Sequence, residues 1–288
     1  MMHRRLFLAA GGLSLLAPGL SARAACLSDE EVARLAEALV TGRPVPAPAG
    51  LSLADAECTR DKLVPLLARH WGRPIGYKAG ATGAAVQRMF GLSGPVYGVM
   101  FESTVSLRDG AELTLAPPVP DVGVEADLLV RVRDEAINEA GRDHVALLRH
   151  LDQVIPYIEL PRRGVSGTLD GPGLVAVNVA ARLGVVGTPI PARAEADFAA
   201  RLGTMTVVFS DDTRELARTQ GSALLGHPLN VIPWLVGDLA RSGRRLRAGD
   251  IVSLGGFAPS VPAQPGRTYT LRYEGLLEQP VSVSVRVR

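Results

Sequence analysis

The sequence predicts an α+β fold: a helical N-terminal region, then an irregular β-rich region with helices on its outside. Three observations predict it. Two amphipathic helical patterns fill residues 28 to 71. From about residue 95, short apolar runs alternate with turn residues, in a chain of 288 residues holding 31 Gly and 21 Pro. The chain then closes on "VSVSVRVR", whose strict alternation is that of a half-exposed strand.

The first residues stand apart. "MMHRRLFLAAGGLSLLAPGLSARA" has a charged start, an apolar run and a small-residue end at Ala22-Arg23-Ala24, which is a secretory signal pattern. "RRLFL" resembles the twin-arginine export signal. Residues 1–24 are expected to be removed on export to the periplasm. No membrane segment should then remain, because no interior stretch is apolar and long enough to span a bilayer. "SDEEVARLAEALVTG" reads as a helix over 28 to 40. Ser28 caps it, Glu31 completes a capping box, Gly42 follows its end, and Val32, Leu35, Ala36 and Leu39 form its apolar stripe. After a Pro-rich connection, residues 53 to 71 form a second helix with Leu63, Leu66 and Leu67 inward. "GRPIGYKAGATGAAVQRMFGL" supplies a short strand from Ile75 to Lys78, a Gly-rich turn and a helix from Ala84 to Phe90. These elements make up an N-terminal helical region, 25–94.

The second, β-rich region is expected over 95–288. It begins with strands and turns, and helices recur at 143–152 and 192–202. "TMTVVFSDDTRELA" reads as a hairpin over Asp211-Asp212. "HPLNVIPWLVGDLARSG" reads as a helix ending at Gly243, with Trp234, Leu235 and Leu239 on one stripe, and "AGDIVSLGGF" as a strand.

Composition excludes several functions. Without the signal's three arginines, 28 basic residues face 29 acidic ones, a net charge of −1. There is no basic tract and only 5% aromatic residues, so the chain has no nucleic-acid footprint. The five histidines show no metal-ligand spacing. There is no G-x-S-x-G elbow, and "GATGAAVQ" lacks the Lys-Ser/Thr ending of a P-loop. Cys26 and Cys58 leave two states open, a disulfide or two unpaired thiols.

Carboxylates remain. "PDVGVEADLLVRV" reads as a buried strand, and within it Glu125 and Asp127 are two residues apart, on one face. Glu159 sits in a second apolar run, "QVIPYIELP". Acids are rarely buried unless paired, and like charges at close range repel. A divalent cation would remove the problem, and oxygen-only ligands suit Mg²⁺ or Mn²⁺. The alternative is an ion pair with Arg131 or Arg133. Lysine usage adds a second clue: of 31 basic residues only Lys62 and Lys78 are lysine. Lys78 ends a strand beside a turn, where a compact ammonium can bind a carboxylate or move a proton. Lys62, on an amphipathic helix, reads as solvated surface.

Five segments, in order, resemble the 2-keto-4-pentenoate hydratase and 4-oxalocrotonate decarboxylase branch of the fumarylacetoacetate hydrolase-like superfamily. They are "GYKAGATGAAVQRMFGL", "VEADLLVRV", "IPYIELP", "LVAVNVAARLGVVG" and "GSALLGHPLNVIPWLVGDLARSGRRLRAGDIVSLGGF". The resemblance implies a mixed β-sandwich roll like the fumarylacetoacetase C-terminal domain. It implies one Mg²⁺ or Mn²⁺ held by Glu125, Asp127 and Glu159, and a small 2-oxo acid as substrate. Lys78 would be catalytic and substrate-binding, Asn178 substrate-binding, and Glu102 a second acid/base. The reaction would be hydratase-like, adding water to a 2-hydroxydienoate, with decarboxylation, acylpyruvate-type C–C hydrolysis or ligand binding without turnover as alternatives. A homo-oligomer is expected. The chain departs from the branch pattern at Asp127, where Glu is usual, at Ala79 and Gly83, at Val177, which replaces an Asp, and at Ala180.

Overall fold

A computed structural model describes residues 26–115 and 121–288. The expected signal segment, 1–24, lies outside the described residues. Helix α1 (Asp29–Thr41) carries the expected reciprocal cap: the Ser28 hydroxyl accepts the Glu31 N–H, and the Glu31 carboxylate accepts the Ser28 N–H. Gly42 ends it in the left-handed region at φ 78°. Helix α2 (Leu53–Trp71) is capped in the same way by Ser52 and Asp55. A disulfide joins Cys26 to Cys58 on α2, which settles the state that the sequence left open.

The strands follow as β1 (Pro74–Gly80), β2 (Val96–Phe101), β3 (Leu107–Arg108), β4 (Ala111–Leu113), β5 (Gly123–Val132), β6 (Leu151–Leu160), β7 (Leu183–Val186), β8 (Thr206–Asp211), β9 (Glu215–Gln220), β10 (Ile251–Ser253), β11 (Thr268–Glu274) and β12 (Val281–Val287). Between them lie α3 (Ala84–Phe90), α4 (His144–Arg149), α5 (Gly171–Ala176), α6 (Ala196–Thr204) and α7 (Val231–Arg241). The expected hairpin is β8–β9, and β12 buries Val283, Val285 and Val287 on one face. Helix α4 is shorter than the expected 143–152. The chain turns into β6 at Leu151, which pairs with Val132 of β5, and the ladder resumes at Gln153 opposite Arg131 after a bulge at Asp152.

Two sheets organise the molecule. The larger runs in the order β2-β1-β10-β5-β6-β7-β3, and the smaller β9-β8-β11-β12-β4. Strand β1 therefore belongs to the large sheet, so a division at 94/95 cuts across that sheet. The large sheet cannot be flat. Strands β2 and β3 stand at opposite ends of a seven-strand order and would be about 29 Å apart in a plane. Yet only residues 102–106 connect them, and six Cα steps reach about 21 Å at most. The sheet must roll, so that its end strand β3, paired with β7 through Leu107–Val185 and Arg108–Val186, comes back towards β2 without pairing to it. This is the α+β, mixed β-sandwich roll expected from the sequence.

Three apolar cores result. The largest lies between the outer face of the roll, the small sheet and helices α4, α6 and α7, and includes Leu128, Val130, Ile158, Phe198, Leu235, Leu271 and Val283. A second joins α1, α2 and α5 to β2 through Leu35, Leu63, Leu67 and Phe101. The smallest, Met100, Leu129, Ile155, Tyr157 and Val186, fills the inside of the roll. It forms the apolar floor on which the polar side chains described next stand.

Candidate active site

Register decides which side chains share the inside of the roll. Glu125 lies directly opposite Glu159 across the β5–β6 ladder, and Asp127 opposite Tyr157. On the other side, Ser253 pairs with Leu129 of β5 and, in parallel, with Lys78 of β1. Paired residues share a face. Lys78, Ser253, Asp127, Glu125, Glu159 and Tyr157 therefore all point inward. The roll then brings Lys78 across two intervening strands until its Nζ lies 2.6 Å from Glu159 Oε1. Lys78 and Glu159 are both buried, so an ordinary surface role for Lys78 is excluded.

Each group has a defined environment. Asp127 is fully buried. Its Oδ2 accepts the Ser253 hydroxyl at 2.6 Å, and its Oδ1 accepts the Gly255 N–H at 3.2 Å and the Leu128 N–H. Glu159 Oε2 is buried with no hydrogen-bond partner. Burial pushes the Asp127 carboxyl up to about 7, against the downward pull of Ser253 and Lys78. Burial likewise lifts Glu159 to about 8; Lys78 opposes the shift, and Glu125 and Asp127 reinforce it. Burial disfavours the charge on Lys78, but Glu159 and Glu125 hold its ammonium above the ordinary lysine range. Tyr157 is buried and donates to the Thr104 carbonyl at 3.3 Å; its ring occupies the space that a Cβ at Gly184 would need. Gly255 has φ +101°, and a Cβ there would lie 2.6 Å from Thr82 Oγ1, so the turn after β10 requires glycine.

The ion-pair alternative with Arg131 or Arg133 does not occur. Arg131 instead makes a forked pair with Asp152, through contacts of 2.9 and 3.0 Å from its Nε and a further one from Nη2. The arrangement fits a cation. Its donors are oxygens, Glu159 Oε2 is orphaned, and Gly256 leaves space beside Glu125 Oε2, which a Cβ would approach at 3.3 Å. Among the described residues no three acidic, histidine or cysteine side chains are already gathered round one point at ligating distance. Lys78 draws Glu159 to one side, while Ser253 and Gly255 hold Asp127 to the other.

Two expected site residues have their polar side-chain atoms engaged by other groups. Glu102 follows the far end of β2, four ladder positions from Gly98, which pairs with Lys78. It is exposed, and its Oε1 accepts Arg73 Nε at 2.7 Å. Asn178 is buried, but both of its polar atoms serve the backbone: Oδ1 accepts the Val99 N–H at 2.7 Å and Nδ2 donates to the Val99 carbonyl at 2.9 Å. It braces β2 from a run of three left-handed residues, Asn178 to Ala180, with φ from 52° to 57°. Conversely, Ser253 and Tyr157 were not singled out from sequence. The signal for Ser253 was a lone hydroxyl in the apolar run "DIVSLGG". A cleft of about 600 Å³, lined by Arg193, Asp197, Arg201 and residues 277–282, contains none of these groups.

The roll, its inward acids and the buried lysine define the class of the chain as fumarylacetoacetate hydrolase-like. A fumarylpyruvate hydrolase from Pseudomonas aeruginosa shares the fold at 16% identity and TM-score 0.53, over 75% of this chain and 89% of that one. A 4-oxalocrotonate decarboxylase from Pseudomonas putida G7, complexed with magnesium and adipate, is 25% identical at TM-score 0.78, over 92% of this chain and all of that one. A 2-keto-4-pentenoate hydratase from Paraburkholderia phymatum is 32% identical over 212 residues, which is 73% of this chain and 78% of the relative. The chain belongs to the 2-keto-4-pentenoate hydratase family of enzymes. No protein-family model matches it.

Proposed function

We propose that this enzyme is a metal-dependent lyase acting on a small 2-oxo acid, with Glu125, Asp127 and Glu159 as the ligands of one Mg²⁺ or Mn²⁺. The observation that carries the reading is the orphaned, buried Glu159 Oε2, on one face with Asp127 and Glu125 and beside Lys78. When bound, the cation supplies a Lewis acid that offsets negative charge developing on the 2-oxygen of the substrate. Glu159 and Asp127 would turn from their present partners to hold it.

The chain's own residues then act as follows. Released from Glu159, the Lys78 ammonium binds the substrate carboxylate or delivers a proton to the enolate carbon. Ser253 and the Gly255 N–H keep Asp127 oriented. Met100, Leu129, Ile155 and Val186 exclude water below the reacting carbons. Hydration of a 2-hydroxydienoate is the favoured reaction. Decarboxylation of a 2-oxo diacid is the second reading, favoured by the structural likeness to the decarboxylase. Metal analysis of the purified protein, with turnover of 2-hydroxypenta-2,4-dienoate and of oxalocrotonate, tests both. Absence of bound or activating Mg²⁺ and Mn²⁺ would overturn the metal assignment.

We also propose that the enzyme works outside the cytoplasm, as a homo-oligomer. The N-terminal export pattern supports the first reading, and so does the Cys26–Cys58 disulfide, a bond of oxidising compartments. Fractionation of the expressing cell and light scattering of the mature protein test the two statements. No helix among the described residues is long and apolar enough to cross a membrane.

A further inference from the structure

The inner face of the roll is left bare beside Lys78. Gly98 of β2 stands directly opposite Lys78 in the ladder, and Gly80 lies two residues further along β1, so both glycines share the inward face with the lysine. Neither position has room for a side chain. A Cβ at Gly80 would lie 2.5 Å from Val179 Cγ1, and one at Gly98 would strike the Asn178 carbonyl oxygen and lie 3.2 Å from Val179 Cβ. Val179 therefore stands inside the roll, over the two glycines and next to Lys78, and it is buried. The apolar floor lies on the other side of the lysine, because Met100 follows Gly98 by two residues on the same face of β2. Lys78 is thus flanked by Met100 below and Val179 above.

Val179 is held there against its own preference. It sits at φ 52°, between Asn178 at 57° and Ala180 at 56°. The left-handed region crowds the Cβ of any L-residue, and a β-branched side chain is among the least suited to it. Such a conformation persists only where the surroundings impose it. Here the Asn178 side chain clasps both the N–H and the carbonyl of Val99, the Ala181 N–H donates to the Asn178 carbonyl at 3.1 Å, and the Ala180 N–H donates to the Val177 carbonyl at 3.3 Å. Strain of this kind collects where a group has to be presented to a ligand. The group presented here is an isopropyl side chain, beside the ammonium assigned to the substrate carboxylate.

From this placement we propose that Val179 is a specificity-determining residue, the wall against which the carbon tail of the substrate packs and which limits that tail to a short one. With the substrate carboxylate at Lys78 and the 2-oxygen towards the acids, the tail takes the apolar space between Met100 and Val179. The inference rests on the 2-oxo-acid reading of the acidic site and deepens it.

Isothermal titration of the Mg²⁺-loaded protein with 2-oxopentanoate and with 2-oxoheptanoate, which differ only in tail length, reads the effect directly. Wild type is expected to favour the shorter acid. Val179→Ala removes both methyl groups of the wall and is expected to shift the ratio of the two affinities about tenfold towards the longer acid, as for a small change in the volume of an apolar pocket. Val179→Gly removes the same wall and relieves the left-handed backbone, so it gives the same shift even if the alanine variant is unstable. Val99→Ala deletes the same two methyl groups from the opposite face of β2, where Val99 pairs with Tyr77, and leaves the ratio unchanged. Thermal melts of the variants establish that they are folded. Wild type that binds the longer acid as tightly as the shorter, a ratio unmoved in the Val179 variants, or an equal shift in Val99→Ala overturns the wall while leaving the acidic site intact. Wild type that binds neither acid with Mg²⁺ present overturns the 2-oxo-acid reading and the wall with it.

Discussion

Replacing Glu159 by Gln separates a carboxylate kept for a cation from one kept for Lys78. The structure sets the magnitude. Burial, with Glu125 and Asp127 nearby, lifts Glu159 from its ordinary 4.5 to about 8. Between those values the folded protein holds a proton that the unfolded chain has released. The stability contribution is therefore full below pH 4.5 and is lost as pH rises through 8. The loss approaches 1.36 kcal/mol per pH unit and accumulates to about 4 kcal/mol by pH 8, roughly 8 °C in a domain of this size. Glutamine keeps an acceptor for the Lys78 ammonium and carries no charge. In EDTA, Glu159→Gln is expected to melt with wild type at pH 5 and several degrees above it at pH 8. Adding Mg²⁺ or Mn²⁺ reverses the order. At a hundredfold excess over the dissociation constant the ion adds about 2.7 kcal/mol to wild type, and it adds little to the variant. Scanning fluorimetry at pH 5 to 8, with EDTA and with metal, reads all four conditions. If Gln instead lowers the melt at pH 8 in EDTA by the roughly 3 kcal/mol of a broken buried pair, the carboxylate serves Lys78 alone and the argument fails.

Lys78→Arg is expected to cost at least about a hundredfold in kcat, because the larger planar head cannot occupy the position 2.6 Å from Glu159; stopped-flow turnover with a thermal melt checks it, and near-normal rates would refute it. Asn178→Ala leaves the Val99 N–H and carbonyl unmet and puts alanine at φ 57°, so urea denaturation should show a loss of about 3 kcal/mol. Glu102→Gln should leave kcat within about twofold, since Glu102 is exposed and pairs with Arg73 at the surface. Cys58→Ser opens a link spanning 32 residues and should cost about 3 to 4 kcal/mol, as should reduction of wild type; a melt insensitive to dithiothreitol would count against it.

What the sequence by itself determined is local. Ser28 with Glu31, and Gly42 after them, specify α1 within one residue of its observed ends, because a cap is satisfied by atoms three residues away. The i, i+2 spacing of Glu125 and Asp127 put two acids on one face before any partner strand was known. The rarity of lysine directed attention to Lys78, which the structure buries beside Glu159. Tertiary structure alone decided the rest. Glu102 and Asn178 lie in segments resembling functional ones, but Glu102 falls on the far side of the β2 turn, and the carboxamide of Asn178 is taken up by Val99, 79 residues away. Arg131, an equally good partner for Asp127 on paper, is claimed by Asp152 across the ladder. Above all, Lys78 and Glu159 are 81 residues apart and stand three places apart in the strand order. They meet only because the short link between β2 and β3 forces the sheet to roll. Propensity and periodicity act over a few residues, whereas closing a sheet is a long-range constraint that no local pattern encodes.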